Sequence, residues 1–182
     1  MSHVINDFSI HVATVNGSGS QTANNVLLRS IFQMGIPVSG KNLFPSNIAG
    51  LPTWFTIRAS KDGWIARRAH HEILVVMNPE TAQADVAAMG PGSVIVTNDA
   101  IKFADVPDDR MVFRVPYAKL IEPITTDVKL RRLVVNMIYV GVLAELLASL
   151  QDGGEADGLA SEVWDRSWAP ELETMRIERW RF

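Results

Sequence analysis

The sequence predicts an α/β fold: a three-layer, Rossmann-like sandwich on a mostly parallel sheet with an inserted antiparallel hairpin. Three observations predict it. Residues 8–15 alternate loosely, with Ile10, Val12 and Val15 apolar, and run through Asn16-Gly17-Ser18-Gly19-Ser20 into residues at helical spacing. Residues 72–77 (Glu-Ile-Leu-Val-Val-Met) and 93–97 (Ser-Val-Ile-Val-Thr) each hold an unbroken apolar run, the mark of strands buried on both faces. A helical stretch separates these two runs, and a β-α-β order gives parallel strands with helices layered on the sheet.

The elements follow in order. Ala23, Val26, Leu27, Ser30, Ile31 and Met34 predict the first helix. Gly35 stands where a left-handed residue stops a helix, and Pro37 follows it. Residues 36–52 read as a long irregular loop, a feature that is uncommon in compact domains and often functional. Residues 53–59 (Thr-Trp-Phe-Thr-Ile-Arg-Ala) read as a strand, Lys61-Asp62-Gly63 as a hairpin turn, and residues 64–67 as the returning strand. Asn78-Pro79 starts a helix that reaches about Met89, where Gly90-Pro91-Gly92 breaks it. Residues 111–115 are the next strand, and a helix over residues 125–150 closes a domain spanning residues 1–150. Residues 151–182 form a divergent tail in which Glu171, Glu173, Arg176, Glu178 and Arg179 suit a short salt-bridged helix.

Composition removes several classes of function. The 182 residues carry a net charge of −3, which argues against a broad basic face for nucleic acid. There is no cysteine, so disulfides, thiolate zinc, cysteine-held iron–sulfur clusters and thiol catalysis are all excluded within the chain. No secretory signal is expected at the N-terminus, and a reducing, cytoplasmic setting fits. Residues 133–150 are nearly all apolar, but Asn136 and Glu145 would be costly in lipid, so a buried or interface helix is expected rather than a membrane span.

Two glycine motifs invite comparison with known phosphate sites. Gly17-x-Gly19 lies between a strand and a helix, where free N–H groups attract anions. The dinucleotide fingerprint fails, because Thr22 stands at the third glycine and Pro37-Val38 where an acid is needed. Gly17, Ser18, Gly19 and Ser20 therefore read either as an anion-binding turn or as a plain reversal. The run from Gly35 to Lys41 imitates a P-loop, but Asn42 replaces the magnesium-binding hydroxyl and the run follows a helix instead of opening one.

Residues 39–54 hold many small donors and one lysine. They read as an ordered loop, or as an anion-recognising one in which Lys41 supplies charge and Ser39, Asn42, Ser46 and Asn47 supply dipoles. His70 and His71 are adjacent and point to opposite sides of an extended chain, so they cannot readily share a metal, and an exposed pair is expected. Lys129, Arg131 and Arg132 sit at the positive end of a helix dipole. They are either a solvated surface or a contact for an acidic partner or a ligand phosphate.

The phrase Gly-Ile-Pro-Val-Ser-Gly-Lys-Asn-Leu-Phe-Pro-Ser-Asn-Ile-Ala-Gly-Leu-Pro-Thr-Trp at 35–54, with residues 15–20 before it and Val76-Met77-Asn78 after it, resembles one family. It is similar to the gamma domain of 2-oxoacid:ferredoxin oxidoreductases, in the form found at the N-terminus of 2-oxoglutarate-type alpha subunits. The resemblance runs over about residues 8–150.

It implies oxidative decarboxylation of a 2-oxoacid to an acyl-CoA, with electrons passing to ferredoxin. It implies thiamine diphosphate, magnesium and iron–sulfur clusters in a complex, none of them held by this chain alone. The implied partners are thiamine-binding subunits, the 2-oxoacid and CoA, and ferredoxin through the complex, with no nucleic acid and no membrane. By the same resemblance Ser39, Gly40, Lys41, Asn42, Ser46 and Asn47 bind substrate or CoA, and no catalytic residue or metal ligand is assigned. Family members with a fused alpha subunit continue well past the position of Phe182, so a subunit or a fragment, inactive alone, is expected. Two other readings stand beside it: a stand-alone nucleotide- or phosphate-binding module, and a truncated, non-catalytic remnant.

Overall fold

The computed structural model describes residues 7–149, apart from Ser46 and Asp105. The tail and its expected salt-bridged helix lie outside the described residues. The elements are β1 (Asp7–Val15), α1 (Ser20–Gln33), β2 (Val38–Leu43), β3 (Pro52–Ser60), β4 (Ile73–Val76), α2 (Ala82–Ala87), β5 (Val94–Asn98), β6 (Met111–Val115), α3 (Tyr117–Ile121) and α4 (Val128–Ser149). One six-stranded sheet has the order β2-β3-β1-β4-β5-β6. β1, β4, β5 and β6 are mutually parallel, while β3 runs against both β1 and β2.

The mostly parallel sheet with an antiparallel insertion is as expected, but the insertion is built differently. Residues 64–67 form no strand; β3 takes β2 as its second partner, from the stretch read as irregular. With β1 on one side of β3 and β2 on the other, no edge remains for residues 64–67. β2 was hard to read because Val-Ser-Gly-Lys-Asn-Leu is poor in β-branched residues. Such polar composition suits an edge strand, where a lysine discourages unwanted pairing.

Smaller differences have local causes. The Asn78 side chain accepts the Glu80 N–H at 3.0 Å, an Asx turn that delays α2 and leaves it short. The Asp127 carboxylate accepts the N–H groups of Lys129 and Leu130 at 2.7 and 2.9 Å, so α4 begins at Val128 and not at Thr125. α3, five residues long, is too short to show a period in the sequence. Gly35 does end the first helix, with φ +80° and its N–H on the Phe32 carbonyl at 3.0 Å.

The sheet has two unlike faces. On one face α1, α3 and α4 cover Phe8, Ile10, Val12, Phe55, Ile57, Val75 and Val96 in a single apolar core. On the other, α2 covers Leu74, Val76 and Ile95, and Trp54 donates to Asp85 of α2 at 2.9 Å. Beyond α2 this second face is polar, and the connector 61–72 lies on it. Asp7 pairs with both Arg58 and Arg68, Arg68 also reaches Glu72 at 3.2 Å, and Glu72 accepts the Ser9 N–H at 2.6 Å. The His11 and His71 rings stack with centroids 4.5 Å apart, and His11 is hydrogen-bonded to Thr56 at 3.0 Å. Of the expected exposed pair, His70 is exposed, whereas His71 is half-buried against His11. No described helix is long and apolar enough to cross a membrane.

Where α4 crosses α1, Gly19 has φ +82°, and a Cβ there would stand 2.6 Å from Leu133 Cδ2. Gly63 has φ +76° with open space around it. Gly19→Ala is therefore expected to cost more than Gly63→Ala, whose loss is the left-handed backbone cost alone, about 1–2 kcal/mol. Chemical denaturation of both variants checks this, and Leu133→Ala in the Gly19→Ala background should recover the excess. Equal losses would show that Leu133 yields freely.

Burial holds the His11 imidazole down at about 4, with His71 and Arg67 adding to the effect, and burial likewise lowers His71. The unfolded chain takes up these protons near the ordinary value, about 6.5. The stabilisation is thus complete above that pH and is lost as pH falls toward about 4. The urea midpoint should drop between about pH 6.5 and 5, above the ordinary carboxylate range, and His11→Phe should flatten the drop. An unchanged slope in the variant would assign it elsewhere.

Candidate functional site

A cleft of about 420 Å³ opens at the carboxyl ends of β1 and β4. Its floor is Thr14 and Val15 from β1 and Met77 just after β4. The chain leaves β1 toward α1 and the antiparallel edge, and β4 leads toward α2 and β5 on the other side. This reversal of winding at adjacent parallel strands is the place where open α/β sheets leave a crevice for ligands.

One wall is the turn after β1. Gly17 has φ +83°, and its Cβ position would touch Ala49 at 3.4 Å. Ala49 and Gly50 of the loop before β3 form the adjoining wall. They are held there because the Gly50 N–H donates to the Asn16 carbonyl at 2.9 Å and the Asn16 N–H to the Leu51 carbonyl at 2.8 Å.

The opposite wall is the first half of α4, through Arg132, Val135 and Asn136. Asn136, read in the sequence as a break in an apolar run, is buried and acts as a clamp. Its amide donates to the Ser18 carbonyl at 2.8 Å and to the Arg132 carbonyl at 3.1 Å. One turn on, the Tyr139 hydroxyl donates to Asn24 Oδ1 at 2.8 Å, which fixes α4 to α1. Burial raises the Tyr139 phenol well above its usual value, so it stays a neutral donor.

The four residues of the anticipated anion-binding turn divide. Gly17 and Ser18 line the cleft, and the Ser18 hydroxyl is buried without a hydrogen-bond partner. Gly19 and Ser20 belong to the α1–α4 contact: Leu133 lies over Gly19, and Ser20 Oγ is 2.9 Å from Thr14 Oγ1. The need for glycine at 19 is thus met by close helix packing.

The residues read from the 39–54 stretch also divide. β2 alternates, and a Cβ at Gly40 would stand 2.8 Å from the Phe55 ring and 3.1 Å from Leu28 of α1. Asn42 faces that same side and donates to Gln21 Oε1 of α1 at 2.8 Å. Ser39 and Lys41 therefore face the connector side, where the Ser39 hydroxyl donates to the Ile65 carbonyl at 3.2 Å. Lys41 is exposed there, opposite Thr56, and does not line the cleft. Asn47 is exposed in the loop, and Ser46 lies outside the described residues. In the sequence Arg132 stands out only within a basic group, and Val135 and Asn136 carry no signal beyond the apolar run that contains them.

The chain has no cysteine, and among the described residues no group of three His, Asp or Glu side chains is placed to hold a metal ion. Elsewhere on α4 and the loop before β3 large apolar side chains are exposed. Ile48 is 65% exposed, Leu133 54% and Leu130 47%, with Leu51 and Met137 also open. α4 is apolar on nearly every side, yet only one side packs on the sheet and α1.

The fold has counterparts in solved structures. The fold matches a 2-oxoglutarate:ferredoxin oxidoreductase from Magnetococcus marinus with 2-oxoglutarate, coenzyme A and succinyl-CoA bound, at TM-score 0.69 and 18% identity. That match covers 93% of this chain, which spans only 31% of the other chain. It also matches the gamma subunit of a keto/oxoacid ferredoxin oxidoreductase from Geobacter sulfurreducens, at TM-score 0.58 and 15% identity, over 94% of this chain and 87% of that one. No curated protein matches it in sequence. The sequence profile of the pyruvate ferredoxin/flavodoxin oxidoreductase family matches residues 9–166, running past the end of α4 into the tail. The chain belongs to the pyruvate ferredoxin/flavodoxin oxidoreductase family, with the fold of its gamma domains.

Proposed function

We propose that this chain is a gamma-type subunit, or a fragment of one, in a thiamine-dependent 2-oxoacid:ferredoxin oxidoreductase. It covers an active site formed by partner polypeptides and helps to hold the 2-oxoacid or CoA. The whole complex converts a 2-oxoacid and CoA to acyl-CoA and carbon dioxide, and the two electrons released pass to ferredoxin. The family match over residues 9–166 supports the setting. The observation that carries the reading is the exposed apolar stripe of Leu130, Leu133 and Met137 along α4, with Ile48 and Leu51 exposed in the loop before β3. An exposed apolar stripe on a helix is the surface a partner would cover.

With no cysteine the chain cannot itself supply the usual ligands of an iron–sulfur cluster, and thiamine diphosphate with its magnesium is assigned to the partners with it. Those groups and the carbon chemistry belong to the partners. The chain's own contribution is shape, exclusion of water and polar contacts. Ser39, Gly40, Lys41 and Asn42 sit on the sheet's outer edge, so a substrate- or CoA-binding role for them requires a second wall from the partner.

Two experiments test this. Co-expressed with the thiamine-binding polypeptide of the same enzyme, the chain should co-purify with it. Ile48→Asp with Leu130→Asp should abolish co-purification while leaving the fold unchanged by circular dichroism. A chain that emerges alone in every form contradicts the subunit reading. In the reconstituted complex, Lys41→Ala should lower kcat/KM for the 2-oxoacid or for CoA about tenfold, the scale of one charge-assisted hydrogen bond. An unchanged kcat/KM removes Lys41 from the site.

A further inference from the structure

We infer that the connector 61–72 is an acid-released strap: it closes over β1 and β3 while the stacked His11 and His71 rings are neutral, and opens when they become charged. The strap lies on the sheet face away from α4, and its release does not depend on the subunit reading.

The strap is built to open by itself. It holds no helix or strand, and residues 61–67, 69 and 70 are exposed. Its largest apolar side chains do not anchor it, since Trp64 is 68% exposed and Ile65 73%. Polar contacts close it. The Ser39 hydroxyl donates to the Ile65 carbonyl, Arg68 pairs with Asp7 and Glu72, and Glu72 exchanges hydrogen bonds with the Ser9 backbone. A segment with few buried apolar contacts opens at a lower free energy than the strands beneath it.

The histidine pair is the part of this closure that acid reverses. The rings stand 4.5 Å apart and within 4° of parallel, one from β1 and one from the strap. Two imidazolium rings in that stack would set like charges face to face. The Thr56 hydroxyl, 3.0 Å from His11 Nδ1, can serve either form of that ring, so it does not resist charging. His71 does resist. Its Nδ1 is buried without a hydrogen-bond partner, and the imidazolium must carry a proton there. A buried, charged N–H with no acceptor is costly.

The charged groups around the rings do not offset this cost. Arg67, Arg68, His70 and Glu72 lie on the strap, Asp7 on β1, Lys41 on β2, Arg58 on β3 and Asp85 on α2. The three carboxylates are engaged: Asp7 by Arg58 and Arg68, Glu72 by Arg68 and the Ser9 N–H, and Asp85 by Trp54. Burial disfavours charge on both rings, and Arg67 and His70 add to that effect at His71. Opening returns the rings to water, where they take up protons near the ordinary value, about 6.5. It also uncovers Ser9, Thr56 and Arg58, which are buried in the closed form.

Hydrogen–deuterium exchange of the full chain at about pH 7.5 and about pH 5, corrected for the intrinsic effect of pH, tests this; the interval lies above the ordinary carboxylate range. Opening of residues 61–72 should rise at least about tenfold at the lower pH. It should be insensitive to low urea, whereas exchange in β4 and β5 should rise with urea, because only unfolding of the whole domain exposes much new surface.

His11→Phe combined with His71→Phe should cut the rise to less than about twofold, and each single variant should give an intermediate value, so the test does not hang on one variant folding. His70→Gln should keep most of the rise. Arg68→Gln should open the strap at both pH values and leave their ratio within about twofold of wild type. No rise in the wild-type chain, or the same rise in the histidine variants, overturns the inference. So does exchange of residues 61–72 that follows urea as β4 and β5 do, which assigns the effect to unfolding of the domain. A ratio lost in Arg68→Gln also overturns it, by moving the switch to the ion pairs.

Discussion

The pressure of α4 on the turn after β1 is the constraint from which the rest of this structure follows. Leu133 occupies the space that a side chain at 19 would need, the Asn136 amide holds the Ser18 carbonyl, and Tyr139 holds Asn24. The clamp joins residues 118 positions apart, so the cleft acquires its second wall only when the final helix docks. Breaking the clamp would leave the Asn136 amide with only the Arg132 carbonyl and take from the Ser18 carbonyl the amide that it accepts, a larger penalty than the net gain from forming one hydrogen bond. The two walls of the cleft are therefore tied to the stability of the whole domain.

Much of the architecture was legible in the sequence because buried parallel strands and an amphipathic helix announce themselves by hydrophobic period. β1, α1, β4, β5 and β6 fall where that period places them. β2 gave no such signal, since an edge strand needs little apolar character. Lys61-Asp62-Gly63 does turn, with Gly63 at φ +76°, but a turn motif does not reveal whether the strand before it still has a free edge. The site was less legible for a related reason. Gly17 and Ser18 were visible as a turn motif, but the opposite wall comes from an apolar helix far along the chain. The alternation that directs Lys41 away from the cleft became visible only once β2 was paired with β3.

The second face of the sheet shows a different economy. Arg58 is nearly fully buried among strand residues, and its charge is met by Asp7, by the Phe8 carbonyl at 3.2 Å and by the Ala59 carbonyl. Such buried ion pairs add little net stability compared with an apolar core, yet removing one partner is costly. Their effect here is to pin the connector 61–72 in one register across β1 and β3. The stacked histidines finish the same seam. An uncovered apolar face would have bound the connector in many ways; a polar one binds it in one.

The strand order also bears on how the polypeptide takes shape during synthesis. β1, β2 and β3 form a contiguous antiparallel set, and all three lie within residues 7–60. A nascent chain that has cleared the ribosome through Ser60 already holds every backbone partner for that three-stranded ribbon, together with α1 to shield one side. The parallel half then has a template on which to grow, β4 against the inner border of β1 and β5 and β6 after it, each strand laid down in the order in which it is translated.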